Sequence, residues 1–161
     1  MTIPVYLWLE DSHGNTIKGS VDIMGREHSI EVLELMHSVE MPTDNNTGKI
    51  TGKRLHSSYA FEKESDSSST YLFKALSSGE TFKKAVFKFY RINDAGQEVE
   101  YFRTTLDTVK VTDMNQFMYD VKNKSRQKHT HHEYIDLGYE KITWHYLDGN
   151  IIHSDSWRLR A

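Results

Sequence analysis

Cysteine is absent from the 161 residues, which removes disulfides, thiolate metal sites and a cysteine nucleophile together. Proline is nearly absent: Pro4 and Pro42 are the only two, so little interrupts long regular elements. No run approaches the roughly 18 consecutive apolar residues of a membrane span, and membrane insertion is not expected. The N-terminus lacks the basic region, apolar run and small-residue cleavage site of a secretory leader. Any export is therefore expected to use no cleavable signal peptide, with the cytoplasm as starting compartment. An excess of positive charge is missing too. Lys and Arg number 20 against 23 Asp and Glu, net −3, so a general grip on phosphates is unsupported and nucleic acid is not an expected partner. What the chain does have is packing material, 37% hydrophobic and 12% aromatic, which does not fit the signature of disorder. The length fits one domain, 1–161.

β-Branched and aromatic residues fall in short segments separated by turn signals, the spacing of a mainly β domain. Residues 5–10 and 16–20 flank Gly14-Asn15, a pair that tolerates positive φ and predicts a hairpin. Residues 85–92 and 98–111 flank Asn93-Asp94-Ala95-Gly96, and 133–147 meets 151–157 across Asp148-Gly149, predicting two more. In 85–92, Phe87 and Phe89 lie on one face, with Val86, Tyr90 and Ile92 on the other, so both faces are expected to be covered. In 133–147 the apolar parity switches from Ile135, Leu137 and Tyr139 to Ile142, Trp144 and Tyr146 near Gly138, as at a β-bulge or barrel corner. Long strands apolar on both sides suit a barrel or sandwich that also packs against further copies of itself.

Residues 30–41 carry Val32, Leu35, Met36 and Val39 at helical spacing, and this pattern alone leans towards an amphipathic helix. A second helix is predicted over 70–77, with Ser69 as N-cap, a stripe of Leu72, Ala75 and Leu76, and Gly79 at the left-handed C-terminal position. Residues 40–54, polar and containing Pro42, Gly48 and Gly52, read as a long loop, and such loops are usually functional or disordered.

Enzyme signatures are scarce. Neither a Gly-x-Ser-x-Gly elbow nor a phosphate-cradling glycine motif occurs, and helix capping accounts for the serines of 65–69. Glu98/Glu100 and Glu62/Glu64 look like ordinary polar strand positions. His129, His131 and Glu133 would share one face of a strand, a plausible ligand set for zinc or nickel. A solvated loop-to-strand junction is the preferred account of them, and no metal, cofactor or catalytic residue is assigned. Core packing is the expected role of the aromatics Tyr71 and Phe73.

Taken in order, several segments resemble the haemolysin-coregulated protein (Hcp) family. They are Ile17-Lys18-Gly19-Ser20, Ile30-Glu31-Val32, Met41-Pro42-Thr43-Asp44, Gly52-Lys53-Arg54-Leu55-His56 and Ala75-Leu76-Ser77-Ser78-Gly79-Glu80. Tyr139-Glu140-Lys141-Ile142-Thr143-Trp144, then Asp148-Gly149 and Asp155-Ser156-Trp157, complete the series. The ordered set spans essentially the whole chain.

The resemblance implies a mainly β fold, a two-sheet β-barrel with one short α-helix, similar to phage tail-tube proteins. It implies a homo-hexameric ring, stacked rings forming the inner tube of the type VI secretion machine within a contractile sheath and beneath a spike, and release into the medium or a target cell. Small effector proteins would ride in the lumen. On this view residues 30–41 form a strand, against their helical pattern. Alignment on Ile30-Glu31-Val32 places the family's effector-contacting lumen position at Met36, where a small polar residue is expected; methionine offers a flexible apolar surface instead of a hydroxyl. The 40–54 segment looks like the family's extended loop, so Asp44, Lys49, Lys53 and Arg54 are candidates for contacts between protomers. Thr70 stands where the family has a proline at the helix start, and no fused toxin domain is expected after Trp157. Two other readings rank below this one: first a stand-alone hexameric carrier or phage-tail-tube-like protein, then a His-based metal enzyme.

Overall fold

Apolar residues at every second position, met by polar ones between them, commit most of the chain to antiparallel strands. The computed structural model describes residues 3–126 and 131–157. Within them lie β1 (Val5–Glu10), β2 (Thr16–Ile17), β3 (Ile30–Val32), β4 (Glu34–Met36), β5 (Val39–Glu40), β6 (Leu55–His56) and β7 (Tyr59–Glu64). The one α-helix among the described residues, α1 (Ser69–Ser78), precedes β8 (Thr81–Ile92), β9 (Glu98–Phe117), β10 (His132–Tyr146) and β11 (Ile151–Ser156). The three predicted hairpins are present as β1/β2, β8/β9 and β10/β11.

The main sheet runs β2-β1-β8-β9-β10-β7-β4, with β11 beside the second half of β10 and β3 beside β1. β3 and β4 are consecutive halves of one segment: the first pairs with β1, the second with β7, and between them the Leu33 amide donates to Glu62 O at 2.8 Å. This segment ties the two ends of the sheet together. The wrap is that of a β-sandwich, where the resemblance implied a barrel, and its mainly β character with one helix is as expected. The helical pattern over 30–41 is overturned. Val32 is buried on β3 and Leu35 packs on the core from β4, while Met36 points away; pairing on both sides outweighs a weak local propensity.

The core between the layers holds Leu7, Leu9, Phe61, Phe82, Phe87, Leu106, Ile135, Leu137 and Ile142. α1 packs against β9, burying Leu72 and Ala75, each fully buried leucine contributing about 1.5–3 kcal/mol. Gly79 takes the left-handed C-cap, φ 72°, as expected. The N-cap is Ser68, not Ser69. Ser69 opens the helix, and its Oγ accepts the Asp66 amide at 3.0 Å and the Lys63 ammonium at 2.9 Å. Tyr71 is 56% exposed on the outer side of α1, which corrects its expected place in the core. On the outer face of β8, the expected cover is the 18–30 strap: the Arg26 guanidinium lies 3.8 Å from the Tyr90 ring centre and pairs with Glu98 at 2.7 Å.

The parity switch in β10 has its cause in the neighbouring strand. Thr112 of β9 is the extra residue of a bulge between the pairs Asp136/Asp113 and Leu137/Val111, and Gly138 makes room for it: a Cβ there would lie 3.1 Å from Thr112 Cγ2. Four residues earlier, Thr108 has φ 55° and interrupts the ladders to both β8 and β10. Buried positions change parity across it, from Leu106 to Val109 on β9 and from Tyr139 to Ile142 on β10. A left-handed β-branched residue is costly, about 1–2 kcal/mol, and Thr108 is exposed, so its side chain offsets little of that. Thr108→Gly is therefore expected to raise stability by up to about 1 kcal/mol, net of glycine's entropy, read as a higher urea midpoint.

Candidate functional site

The most elaborated surface feature is the 41–54 loop. Its tip is ordered by its own backbone: Asp44 N–H donates to Lys49 O at 2.7 Å, Gly48 N–H to Asp44 O at 2.8 Å and Thr51 N–H to Pro42 O at 2.9 Å. The Asp44 carboxylate accepts the amides of Asn46 and Thr47 at 2.8 and 2.9 Å, which holds its pKa below the ordinary range, the Thr47 bond contributing most. Lys49 and Lys53 are exposed. The loop springs from the two-residue pairing of β5 with β6, too short to hold it alone.

The root is held by a polar network instead. Arg54 forms a two-pronged pair with Asp155 of β11, Nε to Oδ2 at 2.6 Å and Nη2 to Oδ1 at 2.7 Å. His56, buried at the end of β6, places Nε2 2.7 Å from Asp155 Oδ2. The hydroxyl of Tyr139 on β10 donates to Ser57 O at 3.0 Å and lies 3.3 Å from His56 Nδ1 and 2.6 Å from His37 Nε2. Both flanks of the loop thus converge on one phenol. Trp157 packs against His56 and Tyr139, and Trp144 against His37 and His56.

Charge follows from this geometry. The Arg54 guanidinium, assisted by His56, holds the Asp155 carboxyl down to about 2. Burial pushes the Tyr139 phenol well up, so it keeps its proton. Burial, then the neighbouring His56, lowers His37. Arg54, named from the resemblance as a candidate contact between protomers, is engaged within its own chain; Asp44 shapes the loop tip, and Lys49 and Lys53 face solvent. Met36, 69% exposed, stands just before His37, beside a trough lined by Leu35, Phe89, Tyr101, Phe102 and Trp144. In the sequence, Tyr139, His56 and Asp155 stand out only as members of the family-like motifs, with no task attached. The available signal was a buried-type aromatic and an acid recurring around β10 and β11.

A second polar centre lies beneath α1. The ammonium of Lys63, fully buried on β7, contacts Asp66 Oδ1 at 3.0 Å, Ser69 Oγ at 2.9 Å, Glu64 O at 3.1 Å and the equally buried Glu133 Oε2 at 3.2 Å. Asp66 also accepts the amides of Ser68 and Ser20. Of the sequence-noted metal candidates, Glu133 is turned inward to Lys63 and Ser65, His131 is exposed, and His129 lies outside the described residues. Among the described residues no three His, Asp or Glu side chains converge on a metal-sized site.

Two outcomes are expected. Lys63→Met should cost about 3–5 kcal/mol by stranding Glu133, and Lys63→Met with Glu133→Leu should recover a large part of it, both by urea unfolding. Asp155→Asn should lose about 1.5–3 kcal/mol at neutral pH. Because folding lowers the Asp155 pKa from 3.8 to about 2, the advantage of the natural residue is complete above about pH 4 and fades as pH falls through about 2, measurable from the two denaturation midpoints.

Comparison with known proteins bears on what this framework is. The family model described as "Type VI secretion system effector, Hcp" matches residues 6–146. A protein of Pseudomonas aeruginosa named "Major exported protein" is 33% identical over 149 residues, spanning 92% of this chain and 84% of that one. The solved structure of an Hcp1 variant from E. coli EAEC 042 is 58% identical, covers 97% of this chain and 99% of its own, and superposes with a TM-score of 0.88. The secreted protein Hcp3 of Pseudomonas aeruginosa is 25% identical, with a TM-score of 0.80 over 98% of this chain and 100% of its own. The chain thus belongs to the Hcp family, exported structural proteins of the type VI secretion system.

Proposed function

We propose that six copies of this chain close into a ring and that rings stack into the inner tube of a type VI secretion machine, inside a contractile sheath and beneath a spike, and are expelled with it. The lumen carries small effector proteins. The observation that carries this reading is an apolar seam left on the outside of a chain whose core is already filled. Met36, Val39, Met41, Ile50 and Leu55, on the loop and the strand leading to it, are all exposed. Several large apolar side chains exposed along one stretch of chain are the kind of surface that interaction sites use. β11 adds an edge strand with Ile151 and Ile152 exposed, and uncovered edges are commonly consumed by pairing or packing with another chain.

In this arrangement the loop reaches a neighbouring copy, with Lys49 and Lys53 as its charged contacts, Asp44 shaping the tip and Arg54 stiffening the base. Met36 faces the lumen, where an apolar, adaptable side chain favours cargo with apolar surface. A head-to-tail interface closes into a ring when its rotation closes, and complementary ring faces extend it into a tube; function here is assembly and shape. Light scattering of the purified protein is expected to give six times the 18.8 kDa chain mass, with annular particles in electron micrographs. A monodisperse monomer at micromolar concentration overturns the reading.

A further inference from the structure

We propose that the root of the 41–54 loop is an acid-operated latch, with His37 as the sensor and the Tyr139 hydroxyl as the catch. The phenol oxygen has one proton and limited acceptor capacity, and three groups meet it: Ser57 O at 3.0 Å, His37 Nε2 at 2.6 Å and His56 Nδ1 at 3.3 Å. His37 belongs to the segment entering the loop, while His56 and Ser57 belong to the segment leaving it. One hydroxyl therefore clasps both sides, and the remaining cross-link at this level is short: Ser57 N–H to Ser38 O at 2.9 Å and Ser38 N–H to Ser57 Oγ at 2.9 Å.

The two imidazoles are not equivalent. His56 faces Asp155 from β11 at 2.7 Å, with Arg54 behind that carboxylate and Tyr139 on its other side. A proton on His56 is thus matched by a nearby negative charge. His37 faces Tyr139 from β10, Tyr59 from β7, His56 from β6 and Trp144, whose opposite neighbour is His153. Among the described residues, the one carboxylate of this network is already spent on Arg54 and His56. When both histidines are charged, two cations stand with ring centres 5.8 Å apart, in a half-buried site where their repulsion is poorly screened.

The sign follows from proton counting. Burial and His56 lower the pKa of His37, so the closed latch binds fewer protons than the open one, and acid favours opening as pH falls below the ordinary histidine range. Asp155 stays ionised down to about 2, so the Arg54–Asp155–His56 side holds and the His37 side releases. β5 then peels from β6 while β10 and β11 remain paired. That acid also loosens the loop's contacts with a neighbouring copy rests on the tube reading; the release itself does not, because the reporting amide of Ser57 is bonded within one chain.

Hydrogen exchange followed by mass spectrometry at about pH 7.5 and about pH 5, each corrected for the intrinsic exchange rate, tests this on the intact protein. The expected result is a fall in protection on the order of tenfold in peptides spanning 38–57, with none in β8 and β9, and no such fall in His37→Gln. Equal protection at both pH values, or the same fall in His37→Gln, overturns the latch. If His37→Gln does not fold, the ring resonance of His37 in the natural protein decides. Titration below that of an exposed histidine, in step with loss of protection, supports the latch, and titration at or above it overturns the latch. Light scattering on the same samples separates the two proposals: a monomer showing the fall keeps the latch and discards the tube, and a hexamer without it does the reverse.

Discussion

Everything in this chain depends on β9 and β10 serving two layers of one sandwich. A strand can present only alternate residues to one side, so a ladder that passes from one layer to the other must change which side is buried. Thr108 makes that change in β9 by adopting a left-handed conformation in mid-strand, and β10 follows opposite it. The bulge at Thr112, with Gly138 making room, completes the turn of the sheet. Without this inversion, Leu106 and Val109 could not both be buried. The local strain is offset by the closure of a single core around it.

The same bend positions the loop. It brings the second half of β10, with Tyr139 and Trp144, against the segments flanking 41–54 and sets β11 alongside. The loop thereby gains a root built from long-range contacts instead of a continuous hairpin. Lys63 does a comparable task below α1, joining β7, β10 and the helix start through one ammonium. A cation fully removed from water is retained only where each of its protons finds an acceptor; Asp66, Ser69 and Glu64 O take the three, and Glu133 adds a facing negative charge at 3.2 Å.

Much of the fold was legible in the sequence because its signals are local. Gly14-Asn15 and Asp148-Gly149 announce hairpins through backbone conformations few residues tolerate, Gly79 announces a helix end, and the parity change in β10 was visible as an inverted apolar pattern. The errors have a common origin. Residues 30–41 carry a helical spacing that becomes three short strands only because β1, β7 and β6 pair with them, and those partners lie outside any local window. Ser69 looks like a cap, yet Lys63 and Asp66 claim its hydroxyl. Tyr71 resembles core material, but α1 turns it outward. The loop was placed correctly by composition, while its root was not, since Arg54, His56, Tyr139 and Asp155 are distant in sequence and meet only after the sheet has bent.

One consequence concerns synthesis on the ribosome. β10 lies in the interior of the sheet, flanked by β9 along its length on one side and by β7 and then β11 on the other, yet it follows β7, α1 and β9 in the chain. Until it emerges, β7 and β9 each present a bare edge, and the charge of Lys63 lacks Glu133. A nascent chain therefore remains open to misassociation until β10 has been made, and its folding waits on pairings of high sequence separation.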